Sequence, residues 1–431
     1  MKIKRIFHRV FLILLLLANL CLQNGFSQNT FPAYLDSAKA NHRELISLKT
    51  NRQSILLDEQ MILATNRSPK VYLSSDYLFA PFLNNNGKFI SNDPDIKAIG
   101  YDAALSDGGL YALMINAEMP IFNQKQVQNL SGMNSLELSK IETQIQLLEL
   151  ELSHALAQQY FDVLLKQAMV DNLKDNIEVL ANQLEVVSLL YQHGLYRYLD
   201  YKLMEVALKT DSITLENALT EYKLSLSQLK TACSIKNNQD VQLENYEPLQ
   251  KSMTVSPSIF LKTFEEDSLS AEWQNKLFND QYRPNVTGFA NSGLNSTSIP
   301  NMGRHFGMSA GFHLIYTLFD GNKKKINEQQ QRLAINEAFQ QKTLKSTELK
   351  SRREAYKKAI AQARTSLQHD YEVLKNYNDL QEIYTEELKT AQVSTIDFLN
   401  FLQQYNSFKQ TMNEHSISLN QLINEYNYWN N

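Results

Sequence analysis

The residues whose types and spacing could do chemistry in this chain are mostly carboxylates placed beside chain reversals. Asp200 closes the run Gly194-Leu-Tyr-Arg-Tyr-Leu-Asp200, and Asp397 closes Ala391-Gln-Val-Ser-Thr-Ile-Asp397, 197 residues further on. A carboxylate in the first turn of a helix needs no catalytic role, because the helix dipole favours negative charge there by about 0.3 to 1 kcal/mol. Asp320, in Leu318-Phe319-Asp320-Gly321, has two readings. Asp-Gly can turn a hairpin, but some seventy residues of helical pattern follow it, which favours a helix cap accepting hydrogen bonds from free backbone N–H groups. Nucleophilic and metal chemistry find no footing. Cys233 has no histidine near it in sequence and reads as a small buried hydrophobe. The eight histidines are scattered, and no phosphate-cradling glycine loop, metal-spaced Cys/His set or G-x-S-x-G elbow occurs. No catalytic residue, cofactor site or metal site is expected, so the chain does not read as an enzyme. A net charge of −4 leaves no basic footprint for nucleic acid, and Lys323-Lys324-Lys325 reads as a solvated helix start.

The elements that must carry these residues are long. Only 13 Gly and 9 Pro occur in 431 residues, well under the usual shares of about 7% and 5%, so turns are few. Apolar residues recur at steps of three and four, as in Leu138, Ile141, Ile145, Leu148 and Leu152, the mark of a coiled-coil seam. That pattern runs without proline over about 123–192, a helix of roughly 100 Å at 1.5 Å per residue, and again over about 321–389. Each is followed by a short break and a second helix, near 196–232 and 395–428, so each half holds a helical hairpin. The halves are a duplication in register: Phe122 and Phe319 lie 197 apart, as do the two turns. Residues 28–232 form the first repeat, 233–255 a linker and 256–431 the second repeat.

Before each long helix lies a segment with period-two alternation. Phe306, Met308, Ala310, Phe312, Leu314 and Tyr316 form one apolar face, and Tyr111, Leu113, Ile115, Ala117 and Met119 form its counterpart, with Asn116 and Glu118 opposite. Earlier strands are expected at about 70–79 and 284–290, each introduced by a proline, with connecting loops at about 80–109 and 291–305. The N-terminus has the basic start, apolar run and small residues Gly25 and Ser27 of a secretory signal peptide over 1–27. Lipidation at Cys21 is the competing reading, opposed by Leu20 in front of it. Beyond that segment no stretch reaches the ~20 apolar residues of a membrane-crossing helix, so entry into a bilayer would be by β-barrel. Strands of about ten residues are long enough to cross. Four cannot close alone, since an unpaired edge in hydrocarbon is costly and known barrels begin at about eight strands, so several protomers must share one barrel.

The duplicated strand pair and helical hairpin, the strand-to-helix motif Tyr316-Thr-Leu-Phe-Asp-Gly-Asn-Lys323 and the turns Tyr191–Asp200 and Ala391–Leu399 together resemble the TolC family of outer-membrane efflux proteins. The resemblance implies a mainly α fold with membrane β: a homotrimer whose twelve strands form one barrel, continued by a periplasmic barrel of helices. It implies an exit duct in the outer membrane, in contact with lipid, serving an efflux pump or type I secretion system through a periplasmic adaptor protein and an inner-membrane transporter. By the same resemblance Asp200, Asp397 and Asn400 would lie at the pore gate, where three copies would ring the axis with six carboxylates. His193, Gly194, Leu195, Tyr196, Ala391, Val393 and Ser394 would form the tips that meet the adaptor, and Phe122, Phe319, Asp320 and Gly321 the strand-to-helix junctions. The chain departs from the family at Gln124, where glycine is common, at Ala391 in the second turn and at Asn400, where another acid is frequent. A non-conducting periplasmic coiled-coil scaffold is the alternative.

Overall fold

In the computed structural model, residues 29–79, 82–85, 88–91, 109–236, 241–252, 258–297 and 299–431 are described. The signal-peptide segment, Cys21, most of the first interstrand loop and part of the linker lie outside them. In chain order the elements are α1 (Phe31–Asn41), α2 (Arg43–Arg67), β1 (Lys70–Phe79), β2 (Phe82–Asn85), β3 (Lys88–Ser91), β4 (Gly109–Ile121), α3 (Gln124–Gln192) and α4 (Tyr198–Ala232). After the linker come α5 (Ile259–Asp280), β5 (Asn285–Ser296), a 3-10 turn (Ile299–Arg304), β6 (Phe306–Ile315), α6 (Lys323–Lys389) and α7 (Thr395–Trp429). Helices α4 and α7 are both 35 residues long and start 197 residues apart, the register expected from the duplication. Among the described residues, no helix is long and apolar enough to cross a membrane.

The chain divides into two compact units, one of Thr50–Thr143 and Lys262–Thr343 and the other of the remaining residues. The first holds a four-stranded antiparallel sheet in the order β1-β4-β5-β6. In register, Ile115 stands opposite Leu73 of β1 and Ser292 of β5, and Ala290 opposite Ala310 of β6. Residues paired across an antiparallel sheet share a face, so Val71, Leu73, Tyr77, Leu113, Ile115, Phe306, Met308, Phe312 and Leu314 form one apolar surface, and every one of them is exposed. The opposite surface is polar and bonded within itself: Tyr72 donates to Glu118 at 2.7 Å, Asn116 donates to Ser74 at 2.8 Å, and Ser309 donates to Asn291.

Two expectations need correction. The segment expected as a loop over about 80–109 carries a short antiparallel hairpin of β2 and β3. Strand β5 does not end near residue 290 but runs to Ser296, and the supposed loop 291–305 is half strand and half 3-10 turn. Its alternation is weak because Gly288 and Gly293 replace side chains, yet β4 and β6 flank it and take up its backbone groups, so tertiary context overrides propensity. Gly293 is required where it stands, since a Cβ there would meet the Leu113 carbonyl oxygen at 2.1 Å.

Helices α2 and α5 pack on the start of α3 through specific polar pairs. Glu266 of α5 is buried and accepts from Ser139 at 2.6 Å and Thr143 at 2.8 Å, while the Trp273 ring lies on Gly132, where a Cβ would come within 2.4 Å of it. Glu59 of α2 accepts from Ser131 at 2.7 Å, and Arg52 donates to Glu142 at 3.0 Å.

The second unit is centred on Phe31, Tyr34, Tyr160, Phe161, Leu226 and Leu229, with Cys233 fully buried beside them. Burial in this apolar setting raises the Cys233 thiol to about 12, so it stays a neutral, unreactive thiol. Residues 241–252 form neither helix nor strand, and side chains hold their backbone. The Tyr160 hydroxyl lies 2.8 Å from the Asn29 carbonyl and 2.7 Å from that of Glu244, and Gln167 accepts from the Leu243 N–H at 2.9 Å.

Candidate functional site: the paired hairpin turns

Each long helix ends in the same reversal. The Leu195 N–H donates to the Leu190 carbonyl at 2.9 Å, and the Gln392 N–H donates to the Glu387 carbonyl at 2.9 Å. Both are six-residue closures of the Schellman type, which place the preceding residue in the left-handed region. Those residues are Gly194 (φ 76°) and Ala391 (φ 54°). Alanine pays a Cβ penalty in that conformation that glycine does not. Ala391→Gly is therefore expected to stabilise the second turn by about 0.5 to 1 kcal/mol net of unfolded-state entropy, and Gly194→Ala to cost the first turn about 1 kcal/mol. Hydrogen exchange at the two turns would read both effects.

The turns are tied to each other. The Tyr196 hydroxyl is 2.7 Å from the Val393 carbonyl and 3.2 Å from that of Leu388, and Thr395 donates to Asp200 at 2.9 Å. Asp200 also accepts from the Arg197 backbone N–H and side chain, both at 3.1 Å, and is 4% exposed. Burial pushes its carboxyl pKa up, but the Arg197 and Thr395 hydrogen bonds outweigh that and hold it below the usual carboxylate value. Asp397, its counterpart, is exposed, and among the described residues its side chain bonds Ser394, which donates to it at 2.6 Å and caps its N–H at 3.1 Å. Asn400 is exposed as well. The three gate candidates thus fall in two environments. Of the tip candidates, His193, Gly194, Leu195 and Ser394 are exposed, Ala391 and Val393 are half-buried, and Tyr196 is turned inward at 9% exposure. Underneath, Val187, Met204, Leu388, Phe398 and Leu402 form a shared apolar core.

Sequence reasoning missed Thr395, Arg197 and the inward role of Tyr196. The only available signal was the repeat offset itself, since Tyr196 bonds the backbone of Val393, the residue 197 positions on.

At the strand-to-helix junctions Asp320 accepts from the Asn322 N–H at 2.9 Å and the Lys324 N–H at 2.8 Å, closing the first turn of α6. Its carboxyl is held low chiefly by the Lys324 N–H and by Tyr282. Gly321 (φ 66°) and Asn322 (φ 69°) make the left-handed step there. The first repeat has no glycine at Gln124, and its left-handed residue is Phe122 (φ 60°) instead. Phe122 and Phe319 are 88% and 87% exposed. Among the described residues, no group of three His, Cys, Asp or Glu side chains is placed to hold a metal ion.

The sheet, the two hairpins and their duplication define a TolC-like fold, the fold of outer membrane factor channels. It is shared with the CmeC outer membrane channel of Campylobacter jejuni, at a TM-score of 0.70 and 14% identity over 93% of this chain and 85% of that one. The outer membrane protein VceC of Vibrio cholerae superposes at 0.67, with 12% identity over 93% of this chain and 96% of that one. The open state of the MtrE outer membrane channel of Neisseria gonorrhoeae does so at 0.61, with 10% identity over 93% and 88%. No protein-family model matches the chain, and no curated protein matches its sequence.

Proposed function

We propose that three copies of this chain form an outer-membrane channel, the exit duct of an efflux or secretion machine that spans the cell envelope. The carrying observation is the four-stranded sheet with an exposed apolar face and, among the described residues, two unpaired edges, β1 and β6. In hydrocarbon every backbone polar group must be paired within protein, so those edges have to meet other strands. Three copies give twelve strands, a membrane-barrel size. The solved channels of the same fold support this reading.

In this reading the exposed turn residues His193, Gly194, Leu195 and Ser394, with Ala391 and Val393, meet a periplasmic adaptor that links the duct to an inner-membrane transporter, and Tyr196 positions them from beneath. Asp397 and Asn400 face the narrow end of the pore, and Asp200 works on the gate from inside the wall by holding the two turns together. Negative-stain electron microscopy of the detergent-purified protein tests the proposal. Elongated three-fold particles support it, whereas monomeric rods would transfer the function to a non-conducting periplasmic scaffold.

A further inference from the structure

Between α3, α4 and α7 of the second unit lies a half-open cavity of about 390 Å³ that the channel reading does not use. Its apolar walls include Leu180, Ala207 and Leu402, and its polar side is made by Asn176, Thr210, Asp211, Gln403 and Asn406. Asn176 is 8% exposed, and its amide donates to Asp211 while its own Oδ1 is buried with no hydrogen-bond partner. Asp211 forms no ion pair among the described residues, and burial raises its carboxyl pKa, opposed only by the Asn176 hydrogen bond. Lys409, which lines a neighbouring cavity that shares Asn176, is paired with Asp175 at 3.5 Å. A buried amide oxygen without a donor is costly, and here it sits beside an unneutralised carboxylate.

We propose that this cavity binds a small amphipathic organic cation, an ammonium group carried on an apolar body. An ammonium brings up to three N–H donors and a positive charge to two groups that lack them, Asn176 Oδ1 and the Asp211 carboxylate. The leucine walls take the hydrocarbon. The volume falls in the range of small-molecule sites, and a bare metal ion would instead need several oxygens closing on it at about 2.0 to 2.6 Å. An anion would meet the Asp211 carboxylate, the one charged side chain of the lining. The site lies within one chain and does not depend on the channel reading.

The test is calorimetric titration of the full detergent-purified protein with phenethylammonium and with its uncharged counterpart, phenethyl alcohol. The ammonium should bind at least about tenfold more tightly, the worth of a charge-assisted hydrogen bond. Asp211→Asn, close in shape, should remove that preference while the protein keeps its thermal midpoint, and Ala207→Phe, which fills the cavity, should abolish binding of both probes. Equal affinity for the two probes, no binding of either, or an undiminished preference in Asp211→Asn would overturn the proposal. So would calcium chloride displacing the ammonium, since that marks a bare-cation site.

Discussion

Replacing Asp200 with alanine should free the two hairpin turns from each other and raise conductance across planar bilayers. Asp200 accepts from the Arg197 N–H at the start of α4 and from Thr395, a fully buried hydroxyl at the start of α7. Its removal deletes a helix cap, about 1 kcal/mol, and strands a buried donor, a further 1 to 3 kcal/mol or so. A local loss of about 2 to 4 kcal/mol corresponds to amide exchange faster by roughly a hundredfold over 193–200 and 390–397. Thr395→Val, which removes only the hydroxyl, should give part of the effect and add little on top of Asp200→Ala, because both delete one interaction. Asp397→Ala should behave differently. It costs one exposed cap and leaves the tie intact, so its effect should be weaker block by multivalent cations, with little change in exchange at the first turn. Equal exchange and conductance in all three variants would rule out the tie as the element that holds the gate. The pH dependence follows from the depressed Asp200 carboxyl. A carboxyl lowered on folding contributes stability above its unfolded value, near 3.9, and loses it as pH falls through the lower folded value. The tie is therefore fully charged from pH 5 to 8, and acid alone releases it only below about pH 4.

The duplication made much of this fold legible. Helix α7 starts 197 residues after α4, β6 starts 197 residues after β4, and β5 starts 215 residues after β1, the offset of the two prolines that precede those strands. Helical periodicity and strand alternation are local signals, and the long elements carried enough of them. What stayed hidden is where the repeats stop being alike. Asp200 and Asp397 hold equivalent positions, and sequence treats them as one kind of residue. The structure buries the first against Thr395 and leaves the second exposed, a difference set by contacts between turns nearly two hundred residues apart. The end of β5 was hidden for a related reason. A strand flanked on both sides gets its backbone bonds from its neighbours, so its glycines cost it less than alternation rules suggest. The left-handed step of the first junction moved to Phe122 because Gln124, lacking the glycine of its counterpart, begins α3 directly.

The sharpest test of the membrane reading uses two neighbouring residues. Ile115 and Asn116 sit at the middle of β4, and successive side chains in a strand point to opposite faces. Ile115 belongs to the apolar surface, 58% exposed and opposite Leu73. Asn116 belongs to the polar surface and donates to Ser74. An arginine on the lipid face near the bilayer midplane costs about 2 to 4 kcal/mol per chain, and three chains in one barrel would bring the total to roughly 6 to 12 kcal/mol. That rivals the whole stability of an ordinary domain. Ile115→Arg should therefore be lost from the outer-membrane fraction and fail to form trimers on size exclusion in detergent. Asn116→Arg would face water in the lumen of the proposed barrel, gives up one hydrogen bond of about 1 kcal/mol, and should assemble and change ion selectivity instead. If both variants assemble alike, the apolar surface is not facing lipid. If both fail alike, strand β4 tolerates arginine on neither face, and the two-sided sheet does not explain the difference between its surfaces. Opposite outcomes at adjacent positions show that the two faces of β4 meet different surroundings, and the location of the protein in the outer-membrane fraction shows that the apolar one meets lipid, because an apolar face buried against protein would reject arginine equally.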